Sequence, residues 1–477
     1  MSQVRARIRD GNALLPCAST GNLQTMLMDA ETEAPLDVEP SVTAIGRALV
    51  AAMPTARRTP RAAVERRVMA AMVDDPELRA AVFRFVDVRP ACDTPHDLAR
   101  HLGELLGEAA GSSSLAARGA SLATGTLTRR PVAAAAALGV RQMAQRFIIG
   151  ADARDALPEV EKLWRDGAAT TIDLLGEATV TEEEADAYAR RCEDTLRAVA
   201  AAAPRWPANP LLERDGAGPI PRVNLSVKVS ALTPLLRAVA PERGIAGAER
   251  RLRHLLRVAR DTGAHLHVDM ESFDTREAVT ELTLRLLSER EFSEGPSAGI
   301  VLQAYLTESP QHLRHLLDWA GATPRATPLT IRLVKGAYWD HETVEAVQHG
   351  WTPPVFQDRR ACDRNYELLS RRLIDAQQTC RVRAAIASHN LRSIAHALAY
   401  ADATGADVEL QVLRGLGDET QAALLAAGRR VRTYCPIGDL VAGMAYLVRR
   451  LLENTSNDSF LRAQAEGVDL TTLLEQP

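Results

Sequence analysis

Aromatic residues make up only 4% of this 477-residue chain, so any cluster of them carries information, and Tyr338-Trp339 is such a cluster. No apolar run approaches the roughly 18–20 uncharged residues that a membrane-spanning helix needs, so no transmembrane helix is expected. The opening MSQVRARIRDGNALLPCAST is mildly basic but has no apolar core, and it does not read as a secretory signal. The six cysteines (Cys17, Cys92, Cys192, Cys362, Cys380 and Cys435) stand far apart, without a CxxC or a Cys/His metal pattern. They read as reduced thiols of a cytoplasmic protein, and no metal site is expected. Net charge is −4, so there is no basic excess to draw nucleic acid. No GxGxxG follows a strand and no GxxxxGK[ST] occurs, which excludes a Rossmann fingerprint and a P-loop.

What is present begins with hydrophobic content of 46%, ordinary for a chain with a large core. The length suits two or three domains, or one large barrel with an added segment. Residues 1–45 read as irregular. From Val42 to about Gly150 the segments SVTAIGRALVAAM, RAAVERRVMAAMV, ELRAAVFRFVD and HDLARHLGELLGEAAG place apolar residues at helical spacing, an all-helical arm. Ser112–Ser114 and the alanine-rich run at 131–140 read as a connector.

After Gly150 the rhythm becomes strand, helix, strand, helix. Eight strand-like segments are read at Ala168–Leu175, Arg222–Ala231, His265–Met270, Gly299–Tyr305, Leu329–Val334, Arg383–His389, Val408–Leu413 and Arg430–Cys435. Helical patterns lie between them and after the last, at 439–453. Strands alternating with helices imply parallel strands with helical crossovers, and eight repeats over about 300 residues suit a (β/α)8 barrel. The expected division is 1–150 for the irregular segment and arm, 151–465 for the barrel and 466–477 for a tail.

A barrel of this kind builds its site at the carboxyl ends of its strands. Leu329–Asp340, LTIRLVKGAYWD, is the densest such end: Arg332, Lys335, Tyr338 and Trp339 crowd around Gly336. Two cations, two aromatics and a glycine suit a flat, anionic ligand. The other ends supply Glu177, Lys228, Asp269 with Glu271, Gln303 with Tyr305, Ser388-His389-Asn390, Arg414 and Tyr434. Each has a plain structural explanation: Lys228 could snorkel, Asp269 could cap a turn, His389-Asn390 could cap the following helix. A full ring of polar ends on one rim favours a site. In DLVAGMAYLVRRLLEN, Tyr446, Arg449, Arg450 and Glu453 share one helix face. That face is either a solvated ion-pair surface or a pair of guanidinium groups that clamps a carboxylate at the barrel mouth.

The stretches NLSVKVSAL, HVDMES, VLQAY, IRLVKGAYWD, SHN, LQVLRGLG, YCPIG and YLVRRLLEN, in that order over roughly residues 165–462, resemble the proline dehydrogenase family, most closely the proline dehydrogenase half of the bacterial bifunctional proline utilisation enzymes. The resemblance implies a distorted (β/α)8 barrel that binds FAD and oxidises L-proline to Δ1-pyrroline-5-carboxylate, passing electrons to a quinone or another acceptor. By that resemblance Lys228, Arg449 and Arg450 hold the substrate carboxylate, with Tyr446 and Glu453 on the same helix face. Leu413 and Tyr434 pack on the substrate ring. Arg332 sits near the reactive edge of the flavin, and Asp269, Lys228, Arg332 and Tyr434 form the catalytic set. Asp269, Met270, Gln303, Arg332, Val334, Lys335, Gly336, Ala337, Trp339, Ser388, His389 and Asn390 line the cofactor. Arg359, Cys362, Ser388 and Arg414 depart from the usual residues of the family. Neither a ribbon-helix-helix segment nor an aldehyde dehydrogenase half is read here, so the expectation is a stand-alone enzyme or a piece of a longer one. A separate Δ1-pyrroline-5-carboxylate dehydrogenase, at most peripheral membrane contact and self-association are the implied partners. Oxidation of another small cyclic amino acid, or a catalytically silent barrel with a binding role, are the alternatives.

Overall fold

The computed structural model describes residues 36–54, 75–88, 91–92, 94–111, 114–124, 131, 134–135, 138, 145–176, 179–439, 443 and 470–477. Eight parallel strands close a barrel in chain order: β1 (Ala168–Leu174), β2 (Asn224–Lys228), β3 (His265–Asp269), β4 (Ser297–Gln303), β5 (Leu329–Val334), β6 (Val382–Ala387), β7 (Glu409–Leu413) and β8 (Val431–Ile437). Closure is made by β8 lying along all seven residues of β1, from Ala168↔Val431 to Leu174↔Ile437. The β1–β2 seam is far shorter, two residue pairs at Ile172↔Leu225 and Asp173↔Ser226.

One parity of each strand carries Ile172, Leu225, Leu266, Ile300, Ile331, Ile386, Leu410 and Val431, all within the main hydrophobic core. The other parity points into the lumen. This is shown by hydrogen bonds between strands that are not neighbours, such as Tyr434 on β8 to Asp269 on β3. Alternation with a period of two thus puts aliphatic side chains against the helices and polar ones inside.

Among the described residues the arm contains α1 (Glu39–Ala52), α2 (Pro76–Val88), α3 (Pro95–Glu108) and α4 (Ser114–Thr124). Of the segment 112–114, expected to be a connector, only Ser114 is described, as the first residue of α4; the described residues of the alanine-rich run, 131, 134–135 and 138, are helical rather than a connector. Alanine's high helix propensity accounts for the latter. The helix expected at 61–73 lies outside the described residues.

The barrel helices are α6 (Glu182–Ala202), α7 (Pro241–Asp261), α8 (Phe273–Leu287), α9 (Ser309–Ala322), α11 (Arg359–Thr379), α12 (Leu391–Thr404) and α13 (Asp418–Ala426). Two further helices were not read from the sequence. Helix α5 (Ala153–Arg165) precedes β1, capped by Asp152 and burying Ala156, Val160, Leu163 and Trp164. Helix α10 (Trp339–His349) follows β5 directly. The loop after α10 returns to pair Val355 with Leu306 at the end of β4.

Candidate active site

The inward parity delivers a charged cluster to the carboxyl ends of the strands. Asp269 ends β3. Its Oδ1 accepts hydrogen bonds from Arg332 Nη1 (2.6 Å) and Ser226 Oγ (3.0 Å). Its Oδ2 accepts one from the Tyr434 hydroxyl at 2.7 Å, and Lys228 Nζ lies 3.9 Å away. Lys228, at the end of β2, pairs with Asp173 of β1. Arg332 also donates to Ser226 Oγ at 3.2 Å, and its guanidinium lies over the Tyr434 ring, 5.3 Å from the centroid. Lys228, Asp269, Arg332 and Tyr434, the expected catalytic set, therefore converge.

The charge states follow from this packing. Burial works against a charge on Lys228, but the Asp173 and Asp269 carboxylates outweigh it and raise the ammonium above the ordinary lysine range. Burial pushes the Asp173 carboxyl up, against the pull of Lys228. Burial, reinforced by Asp173 and Asp269, raises the Tyr434 phenol well above its ordinary value. Tyr434 thus remains a hydrogen-bond donor near neutral pH.

The remaining expected residues form a second arc. Gln303 ends β4; its Nε2 donates to the Glu271 carbonyl at 2.8 Å, while its buried Oε1 has no partner. Met270 is buried beside them. Lys335 pairs with Asp363 of α11. The backbone of Val334 and Lys335 holds the end of β4 through Ala304 N–H (2.8 Å) and Tyr305 N–H (2.7 Å). Gly336 has φ +125°, and a Cβ there would overlap the Tyr305 ring. Ala337 is exposed, and Trp339, at the start of α10, donates its indole N–H to the Phe356 carbonyl at 2.9 Å. After β6, Ser388 Oγ accepts the Asn390 N–H at 3.0 Å, and His389 Nε2 accepts the Leu413 N–H at 2.9 Å. Asn390 caps α12, accepting the Ser393 N–H at 2.9 Å, so its plain structural role is real. Glu177, Tyr446, Arg449, Arg450 and Glu453 lie outside the described residues.

Three residues of the site were not singled out from the sequence: Asp173, Ser226 and Gln411. The usable signal was parity. Ser226 and Gln411 each stand two positions before a chosen residue, Lys228 and Leu413, and so share its face. Arg414 is drawn away to Glu159 of α5 at 2.7 Å. Cys362, on α11, packs against the cluster of Tyr305, Leu306 and Val355, and burial pushes its thiol up to about 11.

Two other features do not compete for the role. A cavity of about 30 Å³ at the amino-terminal ends of the strands, lined by Asn224, His265, Arg383, Glu409 and Arg432, has room for about two waters. Glu39, Glu367 and His396 cluster with metal-like spacing, but Arg392 holds both carboxylates and Arg371 Nε donates to His396 at 3.0 Å.

The fold and the rim define a (β/α)8 barrel that gathers ligand-binding groups at the carboxyl ends of its strands. Known proteins narrow that class. The profile of the family described as proline dehydrogenase matches residues 156–463, and that of the proline utilization A N-terminal domain matches 39–147. The chain belongs to the proline dehydrogenase family. It is 31% identical over 350 residues to the bifunctional protein PutA of Salmonella typhimurium, covering 71% of this chain and 25% of that one. It is 28% identical over 331 residues to proline dehydrogenase 1 of Bacillus subtilis, covering 69% and 92%. The crystal structure of proline utilization A from Bdellovibrio bacteriovorus superposes with a TM-score of 0.83 at 33% identity, over 92% of this chain and 44% of that one. The chain thus spans about a quarter of the length of its bifunctional relatives.

Proposed function

We propose that this chain oxidises L-proline to Δ1-pyrroline-5-carboxylate with FAD bound at the rim, and passes the electrons to a quinone or another acceptor. The observation that carries the reading is the convergence of Lys228, Asp269, Arg332 and Tyr434 at the strand ends of a barrel of this family. The residues present fit a flavin. Arg332 Nη2 and Gln303 Oε1, a donor and an acceptor, are buried without partners. A heteroaromatic ring with acceptors and an N–H on its edge would satisfy both.

When bound, FAD would take the hydride that leaves proline C5. The chain's residues do the rest. Lys228, held charged, meets the substrate carboxylate, together with Arg449 and Arg450. Leu413 and the Tyr434 ring bound the pyrrolidine. Asp269 fixes Arg332 and Tyr434 against each other, which leaves the guanidinium to favour negative charge on the reduced cofactor. Met270, Val334, Lys335, Ala337, Trp339, Ser388, His389 and Asn390 are assigned to the cofactor's walls. A separate Δ1-pyrroline-5-carboxylate dehydrogenase would consume the product. No helix among the described residues is long and apolar enough to cross a membrane. Contact with a quinone-bearing membrane would accordingly be peripheral.

The deciding experiment is an anaerobic visible spectrum of the FAD-loaded protein before and after L-proline. Bleaching of the flavin supports the proposal. A flavin that stays oxidised with L-proline but bleaches with another cyclic amino acid would replace the substrate. Failure to bind FAD would leave a silent barrel.

A further inference from the structure

Beneath Arg332 the lumen wall carries a chain of hydrogen bonds that the proposed reaction has not used. Arg332 Nε donates to Gln411 Oε1 at 2.7 Å. Gln411 Nε2 donates to Glu409 Oε1 at 2.7 Å. Arg432 grips Glu409 through Nε (2.8 Å) and Nη2 (2.9 Å), and its Nη1 donates to the Thr170 carbonyl at 2.9 Å. Gln411 and Glu409 are successive inward positions of β7, and Arg432 is the first inward position of β8. All four side chains are nearly or fully buried.

The direction of this chain is set from its far end. Burial alone would raise the Glu409 carboxyl, but Arg432 outweighs it and holds it at about 2. An ionised carboxylate only accepts. The Gln411 amide must therefore turn its NH2 to Glu409 and its oxygen to Arg332. Flipped, it would set donor against donor and acceptor against acceptor. Arg332 is then held by Nε at Gln411 and by Nη1 at Asp269 and Ser226, with buried Nη2 left over. A neutral amide does this without a second carboxylate, so among the described residues Asp269 is the one carboxylate bonded to Arg332.

We propose that Gln411, locked in one amide orientation by the Glu409–Arg432 pair, is a positioning residue that aims Arg332 at the cofactor and preserves its positive charge. This rests on the reading that FAD occupies the rim. The test measures three quantities in the parent, Gln411→Glu and Gln411→Met: the midpoint potential of bound FAD, its rate of reduction by L-proline and the proline KM. Gln411→Glu keeps the size and adds a carboxylate beside Arg332. It should lower the potential by about 30 mV, a tenfold change in the two-electron equilibrium, and slow reduction about tenfold. The KM should stay within about threefold. Gln411→Met should slow reduction with a smaller shift in potential, since it frees Arg332 without cancelling its charge. Unchanged potential and rate in a folded, FAD-loaded Gln411→Glu would overturn the proposal. If that variant does not fold, an unchanged rate in Gln411→Met overturns it instead. A parent that holds FAD but is not reduced by proline would overturn the substrate reading alone, and the potentials would still decide Gln411. A parent that holds no FAD would overturn both.

Discussion

Asp269 on β3 and Arg332 on β5 meet across the lumen with 2.6 Å between Oδ1 and Nη1, although β4 separates their strands. The pair is almost dry, the side chains being 12% and 4% exposed. Asp269→Ala should therefore leave a buried guanidinium without its carboxylate and the Tyr434 hydroxyl without an acceptor. The expected cost is about 3–5 kcal/mol of stability. A loss of about a hundredfold or more in kcat/KM for proline should accompany it. Chemical denaturation and steady-state kinetics measure the two. Activity within threefold of the parent would remove Asp269 from the site.

Lys228→Met tests the carboxylate contact. The variant keeps the length of the side chain and removes the ammonium. The proline KM should rise about tenfold or more while FAD affinity stays near that of the parent. An unchanged KM would mean that Lys228 serves Asp173 alone.

Gly336 tests the approach to the cofactor. Its φ of +125° is a conformation that side chains with a Cβ rarely adopt, and the Tyr305 ring fills the space beside it. Gly336→Ala should cost about 1–3 kcal/mol and weaken FAD binding together with it. Parental FAD affinity, read by fluorescence quenching, would show that this loop does not touch the cofactor.

Arg392 ties three parts of the chain together. It pairs with Glu39 of α1 (2.6 and 2.7 Å) and Glu367 of α11 (2.7 Å), and donates to the Leu474 carbonyl at 2.8 Å. Arg392→Met should remove the cation that Glu39 and Glu367 share and loosen α1, raising proteolytic cleavage in the arm at a cost of about 3–5 kcal/mol. A digestion pattern identical to the parent's would place the grip of α1 in its apolar face instead.

Acid should weaken the fold early. Burial holds His265 and His267 well below the ordinary histidine range and His312 and His396 at about 3. Below a pH of about 6.5 the unfolded chain binds protons that these four residues refuse in the native state. Stability should be full above that pH and fall as pH drops, by about 1.4 kcal/mol per unit for each such residue. Denaturant midpoints at pH 7.5 and pH 5.5 measure this. Equal midpoints would mean that the histidines protonate in the folded protein.

Much of the architecture was legible. All eight strands begin within two residues of the expected position, because β-branched runs bounded by turns are local signals. Helix α5 was legible in principle, from the Asp152 cap and the helical spacing of Ala156, Val160 and Leu163. Helix α10 was hidden because its apolar outer positions, Val344 and Val347, are exposed and give no clear buried stripe. In the site, residues chosen for their type at a strand end were found on the rim, as Lys228, Asp269 and Arg332 were. Those that act through a neighbour, Asp173 and Gln411, were passed over, although Gln411 shares the strand face of Leu413.

The sequence by itself determined the period of two within strands, the alternation of strand and helix and hence the parity that turns polar residues inward. These depend on side chains a few positions apart. Only the tertiary structure decided which inward residues meet. Pairing Asp269 with Arg332, Lys228 with Asp173 and Gln411 with Arg332 requires strands to close, tilt and stagger by a set amount. That stagger is the sum of many small twists and helix packings over some 270 residues, from β1 to β8, and no short stretch of the chain encodes it.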